Sequence, residues 1–199
     1  MKSLSTLAPF VHSSTQSSPD ILRHNAITRA AMQKLDKQIW KSRITIPTKL
    51  KLHNTCILPI FLSGSECWAV TKRDVLKIDA LDQLCLRKLL GIKWYHHVRN
   101  DEVRQTTGQP RLSAIVQARH FSLFGHIARM PDETDARSII TAYPSENWRP
   151  PGRPRTTWMK TIQQDLSSNN LSLDEAITIT VPQNRPLWRL MSAFGAMHP

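Results

Sequence analysis

Basic side chains crowd the stretch from residue 21 to residue 51, where an amphipathic helix is predicted at 21–43 and a second helix opens at Pro47. Ammonium and guanidinium groups that neutralise phosphates release condensed counterions, so a run of them gives nucleic-acid binding that tolerates any base sequence. The alternative is a solvated helix face, which is what a charge run more often is. The predicted phosphate contacts on this stretch are Arg23, Lys34, Lys37, Lys41, Arg43, Lys49 and Lys51.

Two further arginines, Arg153 and Arg155, lie in the sequence Pro-Pro-Gly-Arg-Pro-Arg at 150–155. An extended Gly-Arg-Pro core is similar to the centre of an AT-hook, in which arginine enters a narrow minor groove. A full AT-hook has basic residues on both sides, whereas only Arg149 precedes this one. A proline-rich linker is therefore the favoured alternative, and both arginines stay candidates for nucleic-acid binding.

The cysteines and lone acids do not predict a metal centre or a catalytic site. A zinc knuckle needs cysteines separated by two to four residues, and Cys56, Cys67 and Cys85 are much further apart. Cys67 and Cys85 lie among apolar residues, so we expect both in the core. Glu66 has neither a second acid nor a histidine in its segment, so we expect it to cap a turn or pair with Arg or Lys. No metal, cofactor or catalytic residue is predicted.

The charge of the whole chain favours a polyanionic partner, either nucleic acid or an anionic surface. Its 27 Lys and Arg residues exceed its 15 Asp and Glu residues, which gives a net charge of +12 and a pI near 10.2. Residues 1–130 hold 20 basic and 8 acidic side chains, whereas residues 131–199 hold 7 of each. The predicted footprint for the polyanion therefore lies in the first two thirds of the chain.

Neither a membrane span nor secretion is predicted. The longest apolar run, Cys56–Leu62, contains a proline and is too short to cross a bilayer. A second run, Leu7–Val11, contains Pro9 and lacks an obvious cleavage site, which argues against a signal peptide. Three cysteines without a pairing framework indicate a reducing compartment. We therefore expect a protein of the nucleus or cytoplasm that is not secreted and has no membrane partner.

Hydrophobic periodicity predicts an all-α protein. The clearest helix is Lys72–Leu90, which carries a wide apolar stripe and is followed by Gly91 at the position of a C′ glycine. Turn and proline signals then divide the chain into four parts. These parts are a disordered lead at 1–18, a basic helical bundle at 19–130, a Pro-rich linker at 143–155 and a small C-terminal helical unit at 156–199.

The apolar stripe of Lys72–Leu90 needs a partner, and the helix before it is the nearest one. Short connections favour antiparallel neighbours, so we expect one core shared by the two helices. Among the other tryptophans, Trp40 and Trp188 are expected in the core, while Trp148 and Trp158 could stack on bases. The residues predicted to be buried together are Leu58, Leu62, Trp68, Leu81, Leu84, Leu89 and Trp94.

An ordered series of short signatures resembles the region that follows the catalytic palm in reverse transcriptases of LINE-type (non-LTR) retrotransposons. In that family a leucine-rich helix ends in Tyr-Gly-Ser-Glu-x-Trp, and a second helix ends in Arg-x-Leu-Gly-Ile-x-Trp. Ser63 stands here where the family usually has tyrosine. The resemblance runs from about residue 17 to the C-terminus. The matching segments are Ser63–Trp68, Arg87–Trp94, His97–Val103, Thr107–Pro110, Phe124–Met130, Pro151–Pro154, Trp158 and Trp188–Arg189.

The resemblance implies a thumb-like bundle at 19–130 that grips a duplex or an RNA/DNA hybrid by its backbone, and it adds the polymerase palm as a second candidate partner. The chain has no Tyr/Phe-x-Asp-Asp sequence and no adjacent aspartates, although two-metal phosphoryl transfer needs such carboxylates. We therefore expect a fragment of an RNA-directed DNA polymerase that binds nucleic acid and does not polymerise on its own. Two alternatives stay open, namely a structural or adaptor helical protein and the non-functional product of a decaying transposon copy.

Overall fold

A computed structural model of the chain describes residues 17–141 and 156–180, together with Pro186, Trp188 and Leu190. Every regular element in these residues is helical, which confirms the predicted all-α class. The α-helices are α1 (Ser18–Lys34), α2 (Ile46–Leu52), α3 (Leu58–Leu62), α4 (Lys72–Leu90), α5 (Asn100–Thr107), α6 (Leu112–Ala128), α7 (Asp135–Thr141), α8 (Trp158–Ser168) and α9 (Leu173–Ile179).

Short turns of other helical types connect the first helices. A π-helical turn at Asp36–Trp40 follows α1, and a second one at His53–Ile57 joins α2 to α3. The sequence predicted these stretches as two continuous helices, so the positions were right and the interruptions were missed. Two 3-10 turns, Ser65–Cys67 and Trp94–His96, come before and after α4.

The chain forms two compact units, and their boundary differs from the predicted one. The first unit comprises residues up to 65 and 72–109, and the second comprises 66–71 and the residues from 110 onward. The sequence had assigned α6 to the first bundle and placed the boundary at 143–155. The structure places α6 in the second unit, because its apolar face forms the core on which α8 and α9 pack. The predicted linker and most of the predicted lead lie outside the described residues.

In the first unit, α1 packs against both α3 and α4, and α2 packs against α4. The α1 face that is buried carries apolar Ile21 and Met32, and it also carries polar His24 and Thr28. At the N-terminus of α1, the Ser18 hydroxyl donates a hydrogen bond to the Asp74 carboxylate, 2.9 Å away on α4. The helix that precedes most of the predicted basic residues is therefore fixed to the long apolar helix α4.

The predicted stripe on α4 is confirmed at most positions, and two of the predicted core residues are wrong. Leu81 and Leu89 are buried, but Leu84 is 40% exposed and Trp94 is 89% exposed. Leu84 lies one residue before buried Cys85, which turns it about 100° away from the packed face. Trp94 follows Gly91, whose φ of +70° ends the helix and leads the chain away from the core.

The residues predicted to pack against the apolar stripe of α4 do so only in part. Leu62 is buried in the first unit and Leu58 is half-buried. Trp68 is buried as predicted, but it belongs to the second unit. The principal partner of α4 is thus α1 rather than the helix immediately before it.

An ion pair fastens α5 to α4. The Arg104 guanidinium pairs with the Asp82 carboxylate, which is 4% exposed. The same guanidinium also donates a hydrogen bond to the Gln109 carbonyl oxygen at 3.3 Å. A buried carboxylate is stable only when it is paired in this way, so Arg104 sets the position of α5.

The core of the second unit is built around Trp188. The indole Nε1 donates a hydrogen bond to the Phe121 carbonyl oxygen at 3.1 Å, and the rings of Phe121 and Phe124 lie 5.9 Å and 5.8 Å from the indole. Gly125 lies directly beneath the indole, where no Cβ would fit. Ile162, Leu166 and Ala176 from α8 and α9 complete this core.

The segment around Glu66 belongs to the same unit. The Glu66 carboxylate pairs with Arg119 at 3.1 Å, and its carbonyl oxygen accepts a hydrogen bond from the Trp158 indole at 2.8 Å. The prediction of a structural role for Glu66, pairing with arginine, is confirmed. The prediction that Cys67 is a core residue is wrong, because its side chain is exposed on the adjacent turn. Cys85 is buried as predicted.

Candidate nucleic-acid interface

Net charge is concentrated in the first unit. That unit holds 17 basic and 7 acidic residues, a net charge of +10, whereas the second unit holds 10 basic and 8 acidic residues, a net charge of +2. The excess is therefore carried by the unit formed by α1–α5. A local field of this sign attracts polyanions and accelerates their association.

Much of this charge is available to a partner. Within the described part of the first unit, nine basic side chains are both exposed and without an ion pair. Such cations keep their full charge for an external anion, unlike Lys77, which lies 3.6 Å from Asp74. The nine residues are Arg29, Lys34, Lys37, Arg43, Lys51, Lys72, Arg73, Lys93 and Arg99.

Most of the predicted contact residues lie between residues 29 and 51, on a stretch from the end of α1 to α2 that we call the basic segment. Asp36 is the one acid in this segment, and two lysines hold it: Lys41 at 2.7 Å and Lys88 at 3.4 Å. The hydrogen bond from Lys41, with the nearby charge of Lys88, lowers the pKa of Asp36 below its usual value even though burial opposes this. The exposed predicted residues are Lys34, Lys37, Lys41, Arg43 and Lys51, and Arg23 is half-buried.

The prediction of a phosphate contact at Lys49 is wrong. Its side chain is 8% exposed, and its ammonium group donates a hydrogen bond of 2.6 Å to the Trp40 carbonyl oxygen. The Trp40 indole in turn donates to the Met32 carbonyl oxygen at 3.0 Å. Lys49 therefore ties α2 to the π-helical turn after α1 and positions the basic segment without contacting a ligand. Lys49 is buried and Lys51 is exposed although both are lysines, so residue type alone could not predict which of them contacts a ligand.

The two arginines of the Gly-Arg-Pro sequence, Arg153 and Arg155, lie outside the described residues. Their assignment as minor-groove contacts stays a prediction from sequence. The described part of the candidate interface is accordingly the first unit.

Sequence reasoning missed an exposed aromatic loop in this unit, residues 93–99, which we call the aromatic loop. It contains Trp94, the most exposed of the large hydrophobic side chains that the structure describes, and Tyr95, which is 48% exposed. Lys93, His96, His97 and Arg99 are exposed as well, and the loop contains no acid. The sequence contained a signal for this loop, since two aromatic residues, two histidines and two flanking cations follow within eight residues of the helix-ending Gly91.

The described residues also limit what other sites the chain contains. Residues 17–141 and 156–180 include no group of three or more His, Cys, Asp or Glu side chains placed to hold a metal ion. No helix in the same ranges is both long and apolar enough to cross a membrane. Burial raises the pKa of the Cys85 thiol to about 12, so this cysteine is not a nucleophile near neutral pH.

Comparison with known proteins gives no match: no family model, no curated protein and no solved structure is significantly similar to the chain.

Proposed function

We propose that the chain binds nucleic acid through the phosphate backbone, using the basic surface of its first unit, and that it does so without catalysing polymerisation. The observation that carries the proposal is the set of nine exposed cations in that unit without an ion pair, within a net charge of +10. Phosphate contacts of this kind dominate non-specific affinity for DNA and RNA.

The arrangement of the basic segment supports this proposal over a solvated helix face. A solvated face commonly alternates acids with bases, which gives internal ion pairs. Here seven basic residues between positions 29 and 51 accompany a single acid, Asp36, which two lysines already share. The segment is also held in place from within, by the hydrogen bond from Lys49 to Trp40. A rigid platform loses less conformational entropy when it binds a partner.

The similarity to the post-palm region of LINE-type reverse transcriptases agrees with this function. In that family we would expect the corresponding helices to hold a duplex or an RNA/DNA hybrid. The chain itself has no aspartate pair for two-metal phosphoryl transfer, so we propose binding rather than catalysis. Template-dependent nucleotide incorporation by the purified chain with magnesium and a primed template, above a control without protein, would refute the non-catalytic part.

Binding is tested by titrating a fluorescent 20-base-pair duplex of arbitrary sequence with the chain at several salt concentrations. We expect log K to fall linearly with log salt, with a slope of about −0.9 for each neutralised phosphate of B-form DNA. Two unrelated duplex sequences should give equal affinities within about threefold, because backbone contacts carry no base information. Absence of binding at low salt would contradict the proposal.

A second candidate, the docking of a polymerase body onto this unit, is favoured by one observation. Leu76 is 71% exposed and Leu84 is 40% exposed, and these residues lie two turns apart on α4 with exposed Ala80 between them. An uncovered apolar stripe on a helix is a common docking surface for a protein partner. Light scattering of the chain with a separately expressed palm fragment, for wild type and for Leu76→Lys, tests this candidate: loss of complex in the variant supports it.

A further inference from the structure

The aromatic loop exposes a large apolar surface that the first unit does not use for its own packing. Trp94 is 89% exposed, whereas Trp40 of the same unit is 2% exposed. Soluble proteins commonly expose single apolar residues. A tryptophan this exposed, however, does not contribute the free energy of burial that this residue usually adds to a core. Trp94 is thus available for a ligand without any rearrangement of the core.

Hydrogen bonds hold the two ends of the aromatic loop in place. Before it, the Ile92 amide donates to the Arg87 carbonyl oxygen at 2.9 Å, which closes the end of α4. After it, the Arg87 guanidinium donates to the Val98 carbonyl oxygen at 2.6 Å and to Asn100 Oδ1 at 2.9 Å. One side chain therefore braces the loop against the helix, and His97, with φ of 49°, makes the tight turn between.

The rings within the loop are arranged so that the indole faces outward. Trp94 and Tyr95 meet edge to face with ring centroids 5.7 Å apart, and Tyr95 meets His96 in the same way at 4.8 Å. The Lys93 ammonium lies 5.7 Å from the Tyr95 ring centroid. Tyr95 thus contacts the rings on both sides of it, while Trp94 stays 89% exposed and leaves most of its indole surface for an external planar group.

We propose that the aromatic loop stacks Trp94 on an unpaired base of a bound nucleic acid, with Lys93 and Arg99 contacting the flanking phosphates. This inference rests on the proposed function, and it adds a structural preference: single-stranded segments next to a duplex bind more tightly than a blunt end. An indole stacks on any base, because every base presents a π-face, so the preference does not depend on base identity.

Charge argues for this occupant over an apolar protein surface. The loop has cations at both of its ends and two histidines beside the rings, and it contains no acid. A protein groove that accepts a tryptophan is usually lined by continuous apolar surface on both partners, which this loop does not supply. Stacked rings flanked by cations are the combination that single-stranded nucleic acid selects.

The experiment compares a blunt duplex with the same duplex carrying a four-nucleotide single-stranded overhang, using fluorescence anisotropy and the full chain at low salt. Four proteins are tested: wild type, Trp94→Ala, Trp94→Phe and Leu76→Ala. Leu76 is a matched control because it is also strongly exposed, at 71%, and belongs to the same unit. Neither residue packs in the core, so we expect every variant to keep the wild-type melting temperature.

We expect wild type to favour the overhang, and Trp94→Ala to weaken overhang binding by about 5-fold to 150-fold, the range that corresponds to one stacked base. Blunt-duplex affinity should stay unchanged, Trp94→Phe should retain most of the preference, and Leu76→Ala should retain all of it. The inference is overturned if wild type binds both ligands equally, if Trp94→Ala weakens both equally, or if Leu76→Ala has the same effect. In each of these cases salt-dependent binding persists and the proposed function stands. If no ligand binds at low salt, the proposed function fails and the inference fails with it.

Discussion

Replacing Gly125 by alanine tests the packing of the second unit. Gly125 lies inside α6, where alanine would be more favourable than glycine by about 1 kcal/mol on helix propensity alone. An alanine Cβ at this position would lie 2.8 Å from Cδ1 and 2.9 Å from Cε2 of the Trp188 indole, and closer still to Nε1. Helix propensity and core packing therefore predict changes of opposite sign in the free energy of unfolding.

Packing should win. Inserting one methyl group into a filled core costs about 1–3 kcal/mol. To relieve the overlap, the indole must also move, which weakens its hydrogen bond to the Phe121 carbonyl oxygen, worth about 1 kcal/mol. The sum exceeds the gain in propensity, so Gly125→Ala should lower the free energy of unfolding by about 1–3 kcal/mol.

Urea denaturation followed by circular dichroism measures the change in the free energy of unfolding. Making the same substitution in a chain that lacks the Trp188 indole isolates the cause of that change. In a Trp188→Leu chain the ring atoms that meet the new Cβ are gone, so Gly125→Ala should there stabilise by up to about 1 kcal/mol. The sign of the effect thus reverses between backgrounds. If Gly125→Ala stabilises the wild-type chain, or destabilises both backgrounds equally, the Trp188 indole does not pack directly against Gly125.

Three further expectations follow from buried groups of the first unit. Burial lowers the pKa of His53 below its ordinary value near 6.5, so the unfolded chain takes up a proton that the folded chain resists. The free energy of unfolding should therefore be at its full value above about pH 6.5 and decline below it. In pH-dependent melts, His53→Gln should flatten this decline in stability. Asp82→Asn should cost about 3–5 kcal/mol in urea denaturation, because it leaves the Arg104 guanidinium without its buried partner, and a loss below about 1 kcal/mol would show that the pair is effectively solvated. Iodoacetamide should label exposed Cys56 in the native chain and spare Cys85 until urea is added, and rapid native labelling of Cys85 would contradict its burial.

Periodicity was sufficient to place the long helices and insufficient to rank residues on their edges. The limits of α4 were predicted correctly, because an apolar stripe, a helix-ending glycine and a long run of helix formers all agree. Leu84 was placed in the core since a leucine beside the stripe is indistinguishable from one within it. The structure buries Asp82 on that face instead, which is tolerable only because Arg104 lies opposite. That partner is 22 positions away and belongs to another helix.

The division into units could not be taken from the proline signals. A linker is a feature of composition, whereas a unit boundary depends on which helices share a core. Here the close contact between Gly125 and Trp188, 63 positions apart in the sequence, joins α6 to the C-terminal residues. Nothing in the sequence around either residue indicates that they meet.

Lys49 and Trp94 show the same limit at the candidate interface. Lysine is usually exposed and tryptophan usually buried, and the prediction followed those preferences for both. In the structure the ammonium of Lys49 donates its hydrogen bond to the Trp40 carbonyl oxygen instead of to water, while Trp94 lies beyond the end of α4 and is almost fully exposed. The general location of the basic surface was predictable from charge, and the role of each residue within it was not.

Backbone binding by the basic segment of the first unit is tested most directly by comparing the salt dependence of a variant in that segment with that of a control variant in the second unit. Lys37→Gln/Arg43→Gln removes two exposed cations from the segment, and Lys160→Gln removes an exposed cation from the second unit. We predict that the double variant reduces the magnitude of the log K against log salt slope by about 1–2 units, since each lost phosphate contact changes it by about 0.9. The Lys160 variant should keep the wild-type slope. A double variant whose slope and affinity equal those of wild type would contradict the account.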